Sequence, residues 1–317
     1  MKKQTILFIT ILFAMSLAAN ACAPAPANEG TSGPVQVTVS ILPQAYFVER
    51  IAGDLVAVNV MVGPGDDAHT YEPKPEQMMA LSESVLFLSI GIEYEEAWLP
   101  RFEDTNPEMD IIDTSEGITR IMETVPHDHD DDDHGHEADD HHDDDDHGDD
   151  HGHGFGLDPH VWLTPANGII IASNIYNALV AVSPENEAVF TTNYEVLVAE
   201  IESLDARISE TLSTLTRRNF MVYHPAWGYF ADAYGLTQLP IKVGGTDPSA
   251  RELAALIDQA LAEEISVVFV QPQFSESNAR AIAQEIGGGV VKVDPLAYDW
   301  LANLETVAEA FASALGN

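Results

Sequence analysis

Three histidines stand alone in this chain: His69 in GPGDDAHTYEP, His160 in GLDPHVWLTP and His224 in MVYHPAWGYF. The other nine of its 12 histidines, His127, His129, His134, His136, His141, His142, His147, His151 and His153, are interleaved with aspartate in one tract. Neutral imidazole is a common ligand for transition metals, and loops rich in Gly and Pro can bring distant imidazoles together. The pattern points to one ordered metal site assembled by the fold, beside a tract that attracts divalent ions weakly.

The elements that must position these residues follow from hydrophobic periodicity. It predicts strands over 37–42, 56–62, 85–90 and 109–112 in the first half, with helices over 43–51, 75–84 and 93–102. In the second half it predicts strands over 220–223, 238–243, 267–270 and 290–293, with helices over 227–234, 249–264, 276–286 and 301–315. Such alternation predicts an α/β fold: two β/α lobes with mainly parallel four-stranded sheets, joined by one long linker helix, with the metal site in the interlobe cleft. Between the lobes lie a helical stretch over 165–182 and a run from Ser183-Pro184 to Leu215. That run opens with a capping Ser and carries the stripe Val189, Tyr194, Leu197, Ile201, Leu204, Ile208, Leu212 and Leu215. About thirty residues give a rod of roughly 45 Å.

On this reading His69 follows the second strand, His224 the fifth, and Asp294, in KVDPLAYDW, the last. These are carboxyl ends of strands, where ligands of open α/β sheets bind. With His160 they would make a four-coordinate N3O site across the cleft. Singly, each has a plain alternative: a loop histidine is often a surface or capping group, and Asp294 before Pro295 can initiate a turn. Asp67 and Glu72, close to His69, are candidates to orient a ligand or supply another carboxylate, with turn formation or capping the competing role. Trp162, Trp227, Trp300, Tyr71 and Tyr298 are expected to pack between the lobes.

The chain of 317 residues carries 52 acids against 13 bases, a formal charge of −39. The segment 126–153 supplies 14 of those acids, and about −25 remains without it. A body this acidic excludes nucleic acid as a natural partner and favours cations, with adaptation to salt the other source of acidity. Lys2 and Lys3 before an apolar run over 6–19 read as an export signal over residues 1–21, followed by a tether over 22–34. Cys22, the one cysteine, stands where a bacterial lipoprotein receives its lipid, although Asn20 departs from the usual pattern and plain cleavage after Ala21 also fits. The first lobe is expected over 35–183, with a disordered insert over 126–153, the linker over 184–215 and the second lobe over 216–317.

GPGDDAHTYEPKP, DPHVWLTP, HPAWGYFADAYGL and VDPLAYDWLANL, in this order with a His/Asp-rich insert before the second, resemble the zinc- and manganese-binding solute-binding lipoproteins of ABC importers. The resemblance implies two lobes joined by a long helix, a monomer anchored to the membrane by Cys22 on the extracytoplasmic face, and metal delivered to a membrane permease. It carries His69, His160, His224 and Asp294 over as ligands. Three imidazoles and one carboxylate suit Zn2+, with Mn2+ or a broader divalent specificity next. The competing class is an exported zinc hydrolase, against which stands the lack of an HExxH pattern. An adhesin or free metal buffer is a third.

Overall fold

The computed structural model describes residues 33–124, 156–242 and 247–316. The export signal, the tether up to residue 32, Cys22 and the nine tract histidines lie outside the described residues. The first sheet is built from β1 (Val35–Ile41), β2 (Val56–Val62), β3 (Leu86–Ser89) and β4 (Asp110–Asp113), all parallel, in the order β2-β1-β3-β4. The second has β5 (Asn219–Val222), β6 (Thr237–Pro240), β7 (Val267–Val270) and β8 (Gly289–Lys292), again parallel, in the order β6-β5-β7-β8. The expected α/β class and both four-stranded sheets are present. Helices α1 (Leu42–Ala52), α2 (Pro75–Ser82) and α3 (Glu93–Thr105) connect the first sheet. Helices α6 (Gly228–Tyr234), α7 (Ala250–Ala262) and α8 (Glu276–Glu285) connect the second, and α9 (Trp300–Leu315) closes the chain.

Between the sheets run α4 (Pro165–Val182) and α5 (Glu187–Leu212). Thr164 caps α4 by accepting from the Asn167 N–H at 3.3 Å, and Pro165 fills the first helical position. That start fixes where the loop carrying His160 must end. By length and composition α4 could cross a membrane, but Ile171, Ala172, Ile175 and Leu179 are wholly buried, so its apolarity belongs to the core.

The linker departs from expectation at both ends. Residues 184–186 form a 3-10 turn, the α-helix covers 26 residues, and its length is roughly 39 Å. The Ser183 hydroxyl does not cap a backbone N–H. It donates to Glu185 Oε1 at 2.9 Å and accepts from Asn186 Nδ2 at 2.8 Å. The buried stripe is Phe190, Leu197, Ile201, Leu204, Ile208 and Leu212, whereas Val189 is exposed. Phe190 stands seven residues, about two turns, before Leu197 and so shares the buried face, whereas Val189 is turned away from it. This stripe packs on α1, α4 and α9, so one hydrophobic core runs from Val37, Val39 and Phe47 to Phe220, Phe269 and Phe311. Strand alternation sends Phe220 and Val222 into that core, while Met221 and Tyr223 enter a smaller cluster on the other face of the second sheet.

The β3–α3 loop has its own fastening. Glu95, buried in the first turn of α3, accepts from Ser40 Oγ, from Ile90 N at 3.0 Å and from Gly91 N at 2.7 Å. Burial pushes its carboxyl up to about 7 despite those donors. Gly91 has φ +82, and a Cβ there would lie 2.5 Å from Arg120 Nη2, so glycine is required at that corner. Two residues before Glu95 stands Glu93, which is thereby delivered to the carboxyl end of the sheet.

Candidate metal centre

His69, His160 and His224 converge. Their candidate ligand atoms all lie within 4.8 Å of one another, and no other acid, histidine or cysteine among the described residues joins the group. His69 Nε2 is 2.9 Å from His224 Nε2, which is 3.2 Å from His160 Nε2. Nitrogens bound to one tetrahedral zinc at 2.0–2.1 Å stand about 3.3 Å apart, so the spacing fits three corners of such a site.

Each histidine reaches the centre by a different route. His69 lies in the loop after β2, where its N–H donates to Asp67 Oδ1 at 2.9 Å and its Nδ1 lies 2.8 Å from Glu93 Oε2. His160 follows the antiparallel bridge between Met122 and Leu157, which joins the two chain segments flanking the insert. Both its N–H and its Nδ1 lie 2.8 Å from Oδ1 of Asp158, which is wholly buried. His224 lies two residues past the end of β5, and its carbonyl accepts from Ala226 N at 2.8 Å and from Gln271 Nε2 at 2.6 Å.

These contacts set the tautomers. An ionised carboxylate beside Nδ1 keeps the proton there, so His69 and His160 present Nε2 lone pairs to the centre. His224 is nearly buried, and burial, reinforced by the fields of His160, His69 and Lys242, holds its pKa well below the usual histidine range. It too stays neutral. Three lone pairs facing one another repel unless a cation lies between them. For His69 burial alone would lower the pKa, but Glu93, with help from Asp67 and Glu123, outweighs it and raises the pKa. Burial would raise the Glu93 carboxyl, yet the bond to His69 draws it below its ordinary value.

The cavity here measures about 20 Å³ and is walled by the three histidines with Ile92, Trp162 and Phe274 among others. That is room for an ion and about one water. Trp162 Nε1 donates to Pro295 O and Trp300 Nε1 donates to Trp162 O, both at 2.7 Å, which ties the His160 loop to the second half. Gly228 lets α6 approach the same loop, since a Cβ there would sit 2.3 Å from Asp158 Oδ2. Trp162, Trp227 and Trp300 are fully buried packing groups, and Tyr71 donates to Gln77 Oε1 at 2.6 Å. Tyr298 is partly exposed and bonds to Glu49.

Asp294 is not gathered with the histidines. Its Oδ1 accepts from Leu296 N at 3.0 Å and from Gln273 Nε2 at 3.4 Å, the local turn that an Asp-Pro step favours. Glu72 is exposed and outside the cavity wall, whereas Asp67 lines it. Sequence reasoning missed Asp158, Glu93 and Gln271. For Asp158 a signal existed: Asp67-x-His69 and Asp158-x-His160 share one spacing, and in both the Asp oxygen accepts the His N–H. Glu93 carried no such local mark. Gln271 directly follows β7, so the rule of strand carboxyl ends could have found it.

Residues 37–314 match the family described as zinc-uptake complex component A, periplasmic. The zinc-binding lipoprotein AdcA of Streptococcus pneumoniae is 28% identical over 267 residues, 83% of this chain and 50% of that protein. The high-affinity zinc uptake system protein ZnuA of Bacillus subtilis is 28% identical over 257 residues, 80% of this chain and 76% of its own length. A crystal structure of a ZnuA deletion mutant with zinc bound superimposes with a TM-score of 0.77 at 39% identity, covering 90% of this chain and 99% of that one. The chain thus spans about half the length of the AdcA relatives it matches.

Proposed function

This chain belongs to the zinc-uptake complex component A family, and on that premise we propose that it is an extracytoplasmic solute-binding protein that captures zinc and delivers it to the membrane permease of an ABC importer. One observation carries the reading: three Nε2 atoms converge, two of them on rings whose Nδ1 faces a carboxylate. Zinc is the cargo, held by His69, His160 and His224. The relatives named for zinc support that choice of metal. Manganese, which prefers oxygen donors, finds fewer of them here. Asp294 would join only by leaving its turn.

Capture without chemistry is the reading favoured: the sequence carries no HExxH pattern, and the matched family is one of uptake components. This argues against the zinc hydrolase. Lipidation at Cys22 would hold the monomer at the outer face of the cytoplasmic membrane, and the His/Asp tract would supply weak additional binding beside the site. Because α5 packs against helices of both halves, release is assigned to movement of the His69 loop, whose ring is the most exposed of the three.

The test is metal analysis of the purified chain with chelator competition, followed by zinc accumulation in cells lacking the gene. The expected result is one tightly held zinc, weaker further equivalents and impaired uptake on deletion. A tight site lost only when 126–153 is removed would transfer the role to the tract. Normal uptake without the gene would favour the adhesin or buffer reading.

A further inference from the structure

Gln271 directly follows β7 and is wholly buried, with its side chain in the wall of the histidine cavity. Its Nε2 donates to the His224 carbonyl at 2.6 Å, which fixes the amide's orientation. The Oε1 atom is buried and has no partner. Buried amide oxygens are nearly always satisfied, so this one calls for a donor. Of the donors nearby, Trp162 Nε1 bonds to Pro295 O, and the Nδ1 atoms of His69 and His160 face Glu93 and Asp158. A donor that arrives with the ligand would satisfy Oε1. Three imidazoles leave a tetrahedral ion one corner short, and the cavity has room for about one water beside it.

We propose that Gln271 is a positioning residue of the metal site: its Nε2 holds the His224 turn, and its Oε1 accepts a hydrogen bond from a water bound as fourth donor to the captured zinc. This rests on the zinc-capture reading. A neutral amide accepts a hydrogen bond from the water but cannot take its proton, so Gln271 does not act as a general base. Gln271 therefore favours a water that leaves easily when the metal is handed on.

The experiment uses the full chain loaded with one equivalent of zinc or cobalt. X-ray absorption of the zinc form is expected to give three imidazoles and one oxygen without a protein carboxylate. Gln271→Met, which removes both hydrogen bonds, is expected to weaken zinc by roughly 10-fold and to change the visible cobalt spectrum. Gln271→Glu, which retains an acceptor, is expected to keep a spectrum close to the native one. A cobalt spectrum unchanged in a folded Gln271→Met protein overturns the proposal, as does a carboxylate as fourth donor in the native chain. If Gln271→Met does not fold, the native absorption data and the Gln271→Glu spectrum decide it. Failure of the native chain to bind zinc through three imidazoles would instead refute the capture reading.

Discussion

The two halves share one sheet order, yet they present their histidines differently. His224 stands at the mouth of a central strand, is 7% exposed, and has its pKa depressed first of all by burial. His69 sits seven residues beyond the edge strand β2, its side chain is 25% exposed, and its Nδ1 partner Glu93 is itself 52% exposed. His160 resembles the buried case, with Asp158 wholly enclosed behind it. The same architecture thus yields two buried candidate ligands and one accessible one, because an edge strand followed by a long loop leaves a side chain in reach of water, whereas a central strand does not.

The strongest way to break this comparison is to remove the ligands one at a time. His224→Ala and His160→Ala should each weaken zinc by more than roughly 100-fold, beyond the usual cost of losing a group that merely supports a ligand. His69→Ala should lose less, because water reaches that position. Equal losses in competition titrations would remove the distinction between buried and accessible ligands.

The supporting carboxylates sharpen it further. Asp158→Asn should cost roughly 10- to 100-fold in zinc affinity, and Gly228→Ala should act in the same direction by displacing Asp158. Affinity unchanged in both variants would show that the buried carboxylate does not set the His160 tautomer.

Glu95 distinguishes the first half by stability. Its folded pKa of about 7 lies above the ordinary 4.5, so the folded state keeps a proton that the unfolded chain releases. Its contribution is fullest below the ordinary value and is lost as pH rises through about 7. Metal-free protein should lose roughly 2 kcal/mol between pH 5 and 8 from this group, and Glu95→Gln should flatten that fall in urea unfolding. An identical pH profile in the variant would sink the assignment.

The smallest effect concerns Glu93. It raises the His69 pKa, so a proton competes with zinc at that ring until pH exceeds the raised value. Glu93→Gln should move the acid limit of binding to lower pH while costing less than roughly 10-fold at pH 8. A limit that stays put or moves upward would contradict the exposed His69–Glu93 pair.

Much of the fold was legible because its signals are local. Strands and helices fell close to the predicted segments, since period-two and period-3.6 patterns, Pro165 at a helix start and Gly235 at a helix end, with φ +64, act within a few residues. The linker was misjudged where turn chemistry competes with periodicity: the Ser183 hydroxyl satisfied two side chains, and the helix began at Glu187.

By itself the sequence determined which groups are able to hold a metal and that His69 and His224 follow strands at their carboxyl ends. Chain direction and strand order are enough for that. Only the tertiary structure decided that three residues meet and Asp294 does not, that Asp158 and Glu93 set two tautomers, and that Gln271 stands beside His224. Those relations join residues from different elements, many of them in different halves. Their distances are fixed by how α5, Trp162 and Trp300 pack the halves together, and no periodicity within a segment encodes a distance between segments.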